Sequence, residues 1–279
     1  MQKFESFLRT VDSENLALRL WKSPKEKLRI LILHGFGEHS EKYEGFVSNF
    51  SSSLVSFACF DQRGHGKSSG PRGVVDHFSQ LVQDVDWVLH QLKWPLESTP
   101  WGVFAHSMGG LIALKHSLSQ PQYLPHFLSL SSPFLGLALP VPEWKKKAAR
   151  VLDIVAPSFT LGDGIQDEMI SRDPEHLKRI QRDHLRHHQM SSRWYLGAME
   201  AIDFVQTRAP ALSIPLLLQI PYRDQVVSSP ASQSFFERVV SAKKSLKIYP
   251  DMKHEIFFDL GREKVFSDQW NFLEKFLDS

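Results

Sequence analysis

Ser107, Asp224 and His254 stand in a chain order and in surroundings that suit nucleophilic acyl transfer. A serine hydroxyl is a weak nucleophile until a histidine accepts its proton. The histidine in turn needs a carboxylate to hold its other ring nitrogen and to stabilise the imidazolium that forms. Ser107 lies in Ala105-His106-Ser107-Met108-Gly109, one residue away from the pattern G-x-S-x-G, with Gly110 following. Small residues suit a reversal so sharp that the positions two before and two after the serine nearly touch, and Ala105 adds only a methyl there. Such a turn lifts the hydroxyl into the positive field of a helix N-terminus. The plain alternative is a serine that caps a helix. An apolar strand before it, an apolar helix after it, and an acid and a histidine downstream favour the nucleophile.

Acyl transfer also needs donors aimed at the developing oxyanion, each contributing about 3 kcal/mol to transition-state stabilisation. The N–H of Met108 is one candidate. The second is the N–H of Phe36, because the run LRILIL (28–33) leads into His34-Gly35-Phe36-Gly37, whose glycines let the backbone curl toward Ser107. The acid and base are expected after later strands. IPLLLQI (214–220) precedes PYRDQVVS, which places Asp224, and SLKIY (245–249) precedes PDMKHE, which places His254. Asp251 and Asp203 are rivals for the acid, but neither lies on the loop this order requires. Of 13 histidines only His254 follows the last strand candidate.

Other conspicuous groups carry less. Asp61 to Ser68 resembles a phosphate loop but lacks the G-x-x-x-x-G-K-[ST] spacing, so a tight loop held by Asp61 and Arg63 is expected. His184, His187 and His188, with His176 nearby, sit in a charged, helix-like run with Arg179, Arg182 and Arg186, so a solvated face is expected rather than a metal site. Cys59, in an apolar run, is expected to be buried and inert.

Positioning the three residues takes a scaffold. LRILIL, VSFACF (55–60), WGVFA (101–105), FLSLS (127–131), IPLLLQI and SLKIY are continuous apolar runs, as strands of a parallel sheet covered on both faces should be. Amphipathic helices are expected from Phe78 to Leu92, from Leu111 to Leu118 and from Val265 to Leu277. FLRTV and LALRLW suit an edge hairpin. Between Leu137 and Asp203 no strand candidate appears, and this charge-dense, helix-like insertion is expected to cap the sheet's carboxyl edge, where ligands bind in open α/β sheets. The division is therefore a core of 1–136 and 204–279 and a cap of 137–203. Within the cap, Trp144, Ala148, Val151, Leu152 and Val155 share one helical face, and Lys145, Lys146, Lys147 and Arg150 surround the other. Two readings stay open: an interfacial helix on an anionic bilayer, or a helix packed on its neighbour.

The whole chain has 279 residues, 42% hydrophobic and 23% charged, an ordinary globular balance. Its formal charge of +2 gives no footprint for nucleic acid. One cysteine closes no intrachain disulfide. The first twenty residues mix charges without a signal-like apolar core, and the stretch 127–141 is shorter than the roughly 20 residues a spanning helix needs. A cytoplasmic protein is expected, with membrane association left open through the cap; oligomeric state is not readable.

With HGFGEHSEKY (34–43), FDQRGHGKSSGPRG (60–73), AHSMGG (105–110), SSPFLGL, SRDPEHLKRI and LKIYPDMKHE, the chain resembles the monoacylglycerol lipase and lysophospholipase branch of the α/β-hydrolase superfamily over nearly its full length. The resemblance implies an α/β-hydrolase fold: a mostly parallel sheet flanked by helices, with a helical cap inserted after the sixth strand. It places nucleophile, acid and base on Ser107, Asp224 and His254, and oxyanion donors on Phe36 and Met108. The segment Glu38, His39 and Ser40 would border the polar end of the pocket, and Gly35, Glu38 and His106 are the expected substrate-binding residues. Ala105 stands where the family's first elbow glycine falls, and IPYRD where a glycine often precedes its acid. The implied activity is hydrolysis of single-chain lipid esters, monoacylglycerol-like, through an acyl-enzyme, with no cofactor or metal. Alternatives with the same triad are a lysophospholipase or a short- to medium-chain carboxylesterase. A non-catalytic ligand-binding module is the alternative of another kind.

Overall fold

Strands with apolar side chains at every position are stable only where both faces are covered, and five of the six expected runs fill the centre of one sheet. The computed structural model describes residues 1–50, 54–138 and 141–277. Leu139 and Pro140, at the start of the expected cap, and Asp278 and Ser279, at the end of the expected core, lie outside the described residues. The elements follow in the order β1 (Gln2–Arg9), β2 (Asn15–Lys22), β3 (Leu28–Leu33), α1 (Glu44–Ser48), β4 (Val55–Phe60), α2 (Ser79–Leu92), β5 (Trp101–His106), α3 (Met108–Leu118) and β6 (Leu128–Ser131). Then come α4 (Glu143–Val155), β7 (Thr160–Gly162), α5 (Pro174–Gln181), β8 (Gln189–Ser191), α6 (Ser192–Arg208), β9 (Leu216–Pro221), α7 (Ser229–Arg238), β10 (Lys244–Tyr249) and α8 (Arg262–Leu273).

Eight strands form one sheet in the order β1-β2-β4-β3-β5-β6-β9-β10. The expected hairpin forms its antiparallel edge, Gln2 opposite Lys22 and Arg9 opposite Asn15, and β2 pairs antiparallel with β4. From β4 to β10 every pairing is parallel. Alternation along the central strands feeds two cores. Leu31, Leu33, Ala58, Phe60 and Val103 pack with Leu81 and Val85 of α2, Leu111 of α3 and Trp194 and Ala198 of α6. Ile30, Ile32, Phe57, Cys59 and Phe104 pack with Phe46 of α1 and with Val265 and Phe272 of α8. Burial pushes the Cys59 thiol well above its usual pKa, which keeps it protonated as expected.

Two expectations for residues 137–203 need correction. This segment does contain strands: β7 and β8 form a small antiparallel sheet, with Thr160 opposite Ser191 and Gly162 opposite Gln189. Strands of three residues leave no alternation to detect, and their partners are distant in sequence. The run around His184 is not helical either, since α5 ends at Gln181 and the chain then turns, with Arg186 N–H donating to the Asp183 carbonyl. The N–H of His187 then bonds the Gly37 carbonyl at 3.2 Å. Gly37 has φ +71°, and a Cβ there would lie 2.3 Å from the His187 carbonyl, so only glycine admits this approach.

Candidate active site

Ser107 sits where β5 gives way to α3, with φ 50° and ψ −116°. A non-glycine residue there carries strain of order 1–3 kcal/mol, held by the surroundings. Its N–H donates to the Ser131 carbonyl (3.0 Å) and its carbonyl accepts from Phe134 N–H (2.9 Å) and Leu111 N–H (3.2 Å). The crowding differs from the expected one. The atoms nearest a Cβ on Gly109 would be the Leu33 carbonyl oxygen, at 2.2 Å, and other atoms of that β3 terminus, not Ala105. Gly109 is needed because α3 starts against β3.

The three expected residues meet in one hydrogen-bonded chain. Asp224, on the loop after β9, accepts Val226 N–H (2.8 Å) and Val227 N–H (3.1 Å) with Oδ1, and its Oδ2 lies 2.7 Å from His254 Nδ1. That carboxylate only accepts, so Nδ1 carries the proton and Nε2 is left to accept from Ser107 Oγ, 3.0 Å away. Asp251 and Asp203 are exposed and take no part. Burial disfavours a charged His254 ring, but the charge and hydrogen bond of Asp224 outweigh it, and the pKa rises above its usual 6.5. A base must be neutral to accept a proton, so an acid limb of kcat/KM in the free enzyme is expected, falling below a midpoint above pH 6.5. A pH–rate profile on a soluble ester checks it; a midpoint below 6.5 would contradict the role of Asp224.

Phe36 lies on the loop after β3, its ring packed on Trp194 at 4.5 Å and His187 at 5.3 Å between centroids. Met108 is the first residue of α3, where N–H groups have no carbonyl one turn back. Gly35, Phe36, Glu38, His106, Ser107 and His254 line one cavity of about 40 Å³. His106 Nδ1 lies 3.1 Å from the Ser131 carbonyl, and burial lowers its pKa to about 4, so the ring is neutral and turns an accepting Nε2 toward Glu38, 4.0 Å away. Glu38 Oε2 accepts Gly35 N–H (2.9 Å) and Tyr43 O–H (3.1 Å), which ties it to the loop that carries Phe36.

Sequence reasoning missed the rest of the polar wall. Lys42 bridges Glu38 and Glu255, with Nζ 2.6 Å from Glu255 Oε1, and His176 Nε2 of α5 lies 2.5 Å from Glu255 Oε2. Burial opposes ionisation of both carboxyls, yet the Lys42 ammonium outweighs it and lowers both pKa values, that of Glu38 well below its usual range. Ligating atoms of Glu38, His106 and Glu255 lie within 4.8 Å of one another, but the Lys42 ammonium already bridges the two carboxylates. Replacing Lys42 by Met strands two buried carboxylates and should cost roughly 3–5 kcal/mol, read as a lower urea midpoint. Substituting Glu38 and Glu255 with Gln in the same chain should recover much of that loss. The solvated face expected of the histidine run also needs correction. His176 and His187 are buried, and His187 packs on His65 at 4.6 Å, because residues of 137–203 close over the site. Only His184 and His188 are exposed. The signals available were Lys42 four residues after Glu38 and Glu255 directly after His254.

Above the site, Asp163, Ile165, Ile170, Arg186, His187 and His188 close the same cavity. A second, mainly apolar cavity of about 340 Å³ lies between α4 and α6, with Trp144, Leu152, Phe159, Leu161 and Met190 in its wall, and it shares Asp163 with the first. Packing on α6 does not cover α4: Trp144 is 67% exposed, Ile154 81% and Val155 69%. Among the described residues no helix is long and apolar enough to cross a membrane.

A family model described as serine aminopeptidase, S33, matches residues 24–261. An uncharacterised abhydrolase domain-containing protein of Dictyostelium discoideum is 32% identical over 93% of this chain, which spans only 28% of that protein's length. Phospholipase YtpA of Bacillus subtilis is 28% identical, covering 92% of this chain and 99% of its own. Human monoglyceride lipase is 28% identical, over 89% and 82%. The crystal structure of a Paleococcus ferrophilus monoacylglycerol lipase superposes with a TM-score of 0.84 at 24% identity, covering 94% of this chain and 98% of that one, which shows a shared fold.

Proposed function

The chain belongs to the serine aminopeptidase S33 family and is a serine hydrolase of the α/β-hydrolase kind, and from that premise we propose that it cleaves single-chain lipid esters, monoacylglycerol-like, through an acyl-enzyme on Ser107. The observation that carries this reading is the unbroken chain from Asp224 through His254 to Ser107. His254 takes the hydroxyl proton as Ser107 attacks the ester carbonyl, then returns it to the leaving alcohol, and a water repeats the cycle to release the acid. The N–H groups of Phe36 and Met108 receive the oxyanion. Gly35 lines the approach, and Glu38 with the accepting Nε2 of His106 offers two acceptors to hydroxyls of the leaving alcohol. The apolar cavity under α4 suits the acyl chain, since it adjoins the site at Asp163.

Residues 137–203 act in this reading as a cap. A cavity of about 40 Å³ at Ser107 is far smaller than the several hundred Å³ a lipid needs, so the cap must shift to admit one. The exposed Trp144, Ile154 and Val155, flanked by Lys145, Lys147 and Arg150, support docking of α4 on an anionic lipid surface by an otherwise cytoplasmic enzyme. A glutamate pair at Ile154 and Val155 should weaken binding to anionic vesicles at least about ten-fold, because burying those side chains is worth several kcal/mol. Equal co-sedimentation would remove the docking claim.

A p-nitrophenyl ester series from acetate to palmitate tests the reaction and the acyl site together. Rising kcat/KM beyond butyrate supports a lipid-ester hydrolase, and a maximum at acetate would leave the shorter-chain carboxylesterase. A non-catalytic binding module predicts no turnover and no labelling of Ser107 by a fluorophosphonate.

A further inference from the structure

Asp259 is a carboxylate with 0% exposure that has no part in the chemistry above, yet it gathers donors from both sides of the site. It lies between His254 and α8. Its Oδ2 accepts the N–H of Lys253, the residue just before the base, at 2.8 Å, and Arg172 Nε at 3.0 Å. Its Oδ1 accepts Arg172 N–H at 2.6 Å, Leu260 N–H at 2.8 Å and Ser171 Oγ at 3.3 Å. Only a carboxylate of this size accepts on both oxygens. A charge held out of water is costly unless its donors stay in place, so the segments that supply them are held together.

The backbone of the base is pinned to the same segment. His254 N–H reaches the Met169 carbonyl at 3.4 Å, and Glu255 N–H bonds the Ile170 carbonyl at 2.9 Å. On the sheet side, Ser132 Oγ donates to the His254 carbonyl at 2.7 Å. Residues 250–253, which carry the chain from β10 to the base, lie outside any helix or strand, so such bonds set their path.

We infer that Asp259 is a positioning residue for the base: through Lys253 it fixes His254 between Asp224 and Ser107, and through Ser171 and Arg172 it keeps residues 169–172 on that loop while other parts of 137–203 shift. It touches no reacting atom. The inference rests on the Ser107–His254–Asp224 reading and adds which part of the overlying segment stays still. A segment that lifted as one body would pull on the base's own backbone.

The test compares wild type, Asp259→Ala and Asp259→Asn on p-nitrophenyl acetate, with Glu26→Gln as a control. Alanine leaves Lys253 N–H without its acceptor, and asparagine keeps the shape but turns an NH₂ toward two of the donors. In Asp259→Ala kcat should fall about 10- to 100-fold, as for a small misplacement of a reacting group, and in Asp259→Asn by less. KM should stay within about two-fold, since only the placing of the proton acceptor changes. The acid limb should move down toward pH 6.5, because a ring that drifts from Asp224 loses the charge that raises its pKa. Glu26→Gln loosens its bonds to the buried Arg29, at the end of β3 far from Ser107, and should lower the unfolding midpoint with kcat unchanged. An unchanged kcat and acid limb in either folded Asp259 variant overturns the proposal, however much stability is lost. Proton NMR of His254 Nδ1–H, 2.7 Å from Asp224, reads the same geometry without turnover. Its downfield resonance should be lost or broadened in Asp259→Asn and kept in Glu26→Gln. If wild type cleaves no ester while that difference persists, the hydrolytic reading fails and not the positioning role.

Discussion

Ser107→Ala is expected to lower kcat on any turned-over ester by on the order of 10⁵- to 10⁶-fold, because the nucleophile and its base act as one unit. The fold should survive. Ser107 Oγ is bonded to His254 Nε2, while the strained turn is held by backbone bonds to Ser131, Phe134 and Leu111, which alanine keeps. The unfolding midpoint should therefore move little while fluorophosphonate labelling disappears. Full activity in this variant would sink the mechanism, and a large loss of stability would make the activity loss uninformative about chemistry.

Asp224→Asn should reduce kcat by about 10⁴-fold with a nearly unchanged melting temperature. The reason lies in how the carboxylate is divided. Oδ1 is committed to the N–H groups of Val226 and Val227, so an asparagine keeps its carbonyl oxygen there and turns its NH₂ toward His254 Nδ1. An NH₂ can only donate, which forces Nδ1 to accept and moves the ring proton to Nε2. His254 then presents an N–H to Ser107 and cannot take its proton. Steady-state kinetics across pH check this, since raising the pH should not restore the rate. A loss below ten-fold would mean that Asp224 does not set the tautomer, and Asp251 or Asp203 would not explain it, because both are exposed.

The meeting of Ser107, Asp224 and His254 was legible because its signals are local. Ser107 and Asp224 follow strands buried along their whole length, β5 and β9, and His254 follows the half-buried edge strand β10; in a parallel sheet such strands all end at one edge, so a residue just after a strand is delivered to a common place. Strands β3, β4, β5 and β9 were readable for the same reason, their burial on both faces being written into six consecutive residues. The two short strands within residues 137–203 were not, since three residues have no period. Nor was the burial of His187, because a charged run looks solvated until the N–H of His187 meets Gly37 and its ring meets His65.

By itself, then, the sequence determined which residues meet: a serine between strand and helix, an acid and a histidine after later strands, and glycines where backbones must approach. Only the tertiary structure decided what surrounds them. The Glu38–Lys42–Glu255–His176 wall joins a loop after β3, a residue beside His254 and α5, and no local pattern records their meeting. The exposure of α4 and the burial of Arg186 were likewise undetermined, since an amphipathic or charged segment has the same composition whether it faces water, lipid or a cavity. Burial is a property of what packs against a residue, and that is settled by contacts between segments far apart in the chain.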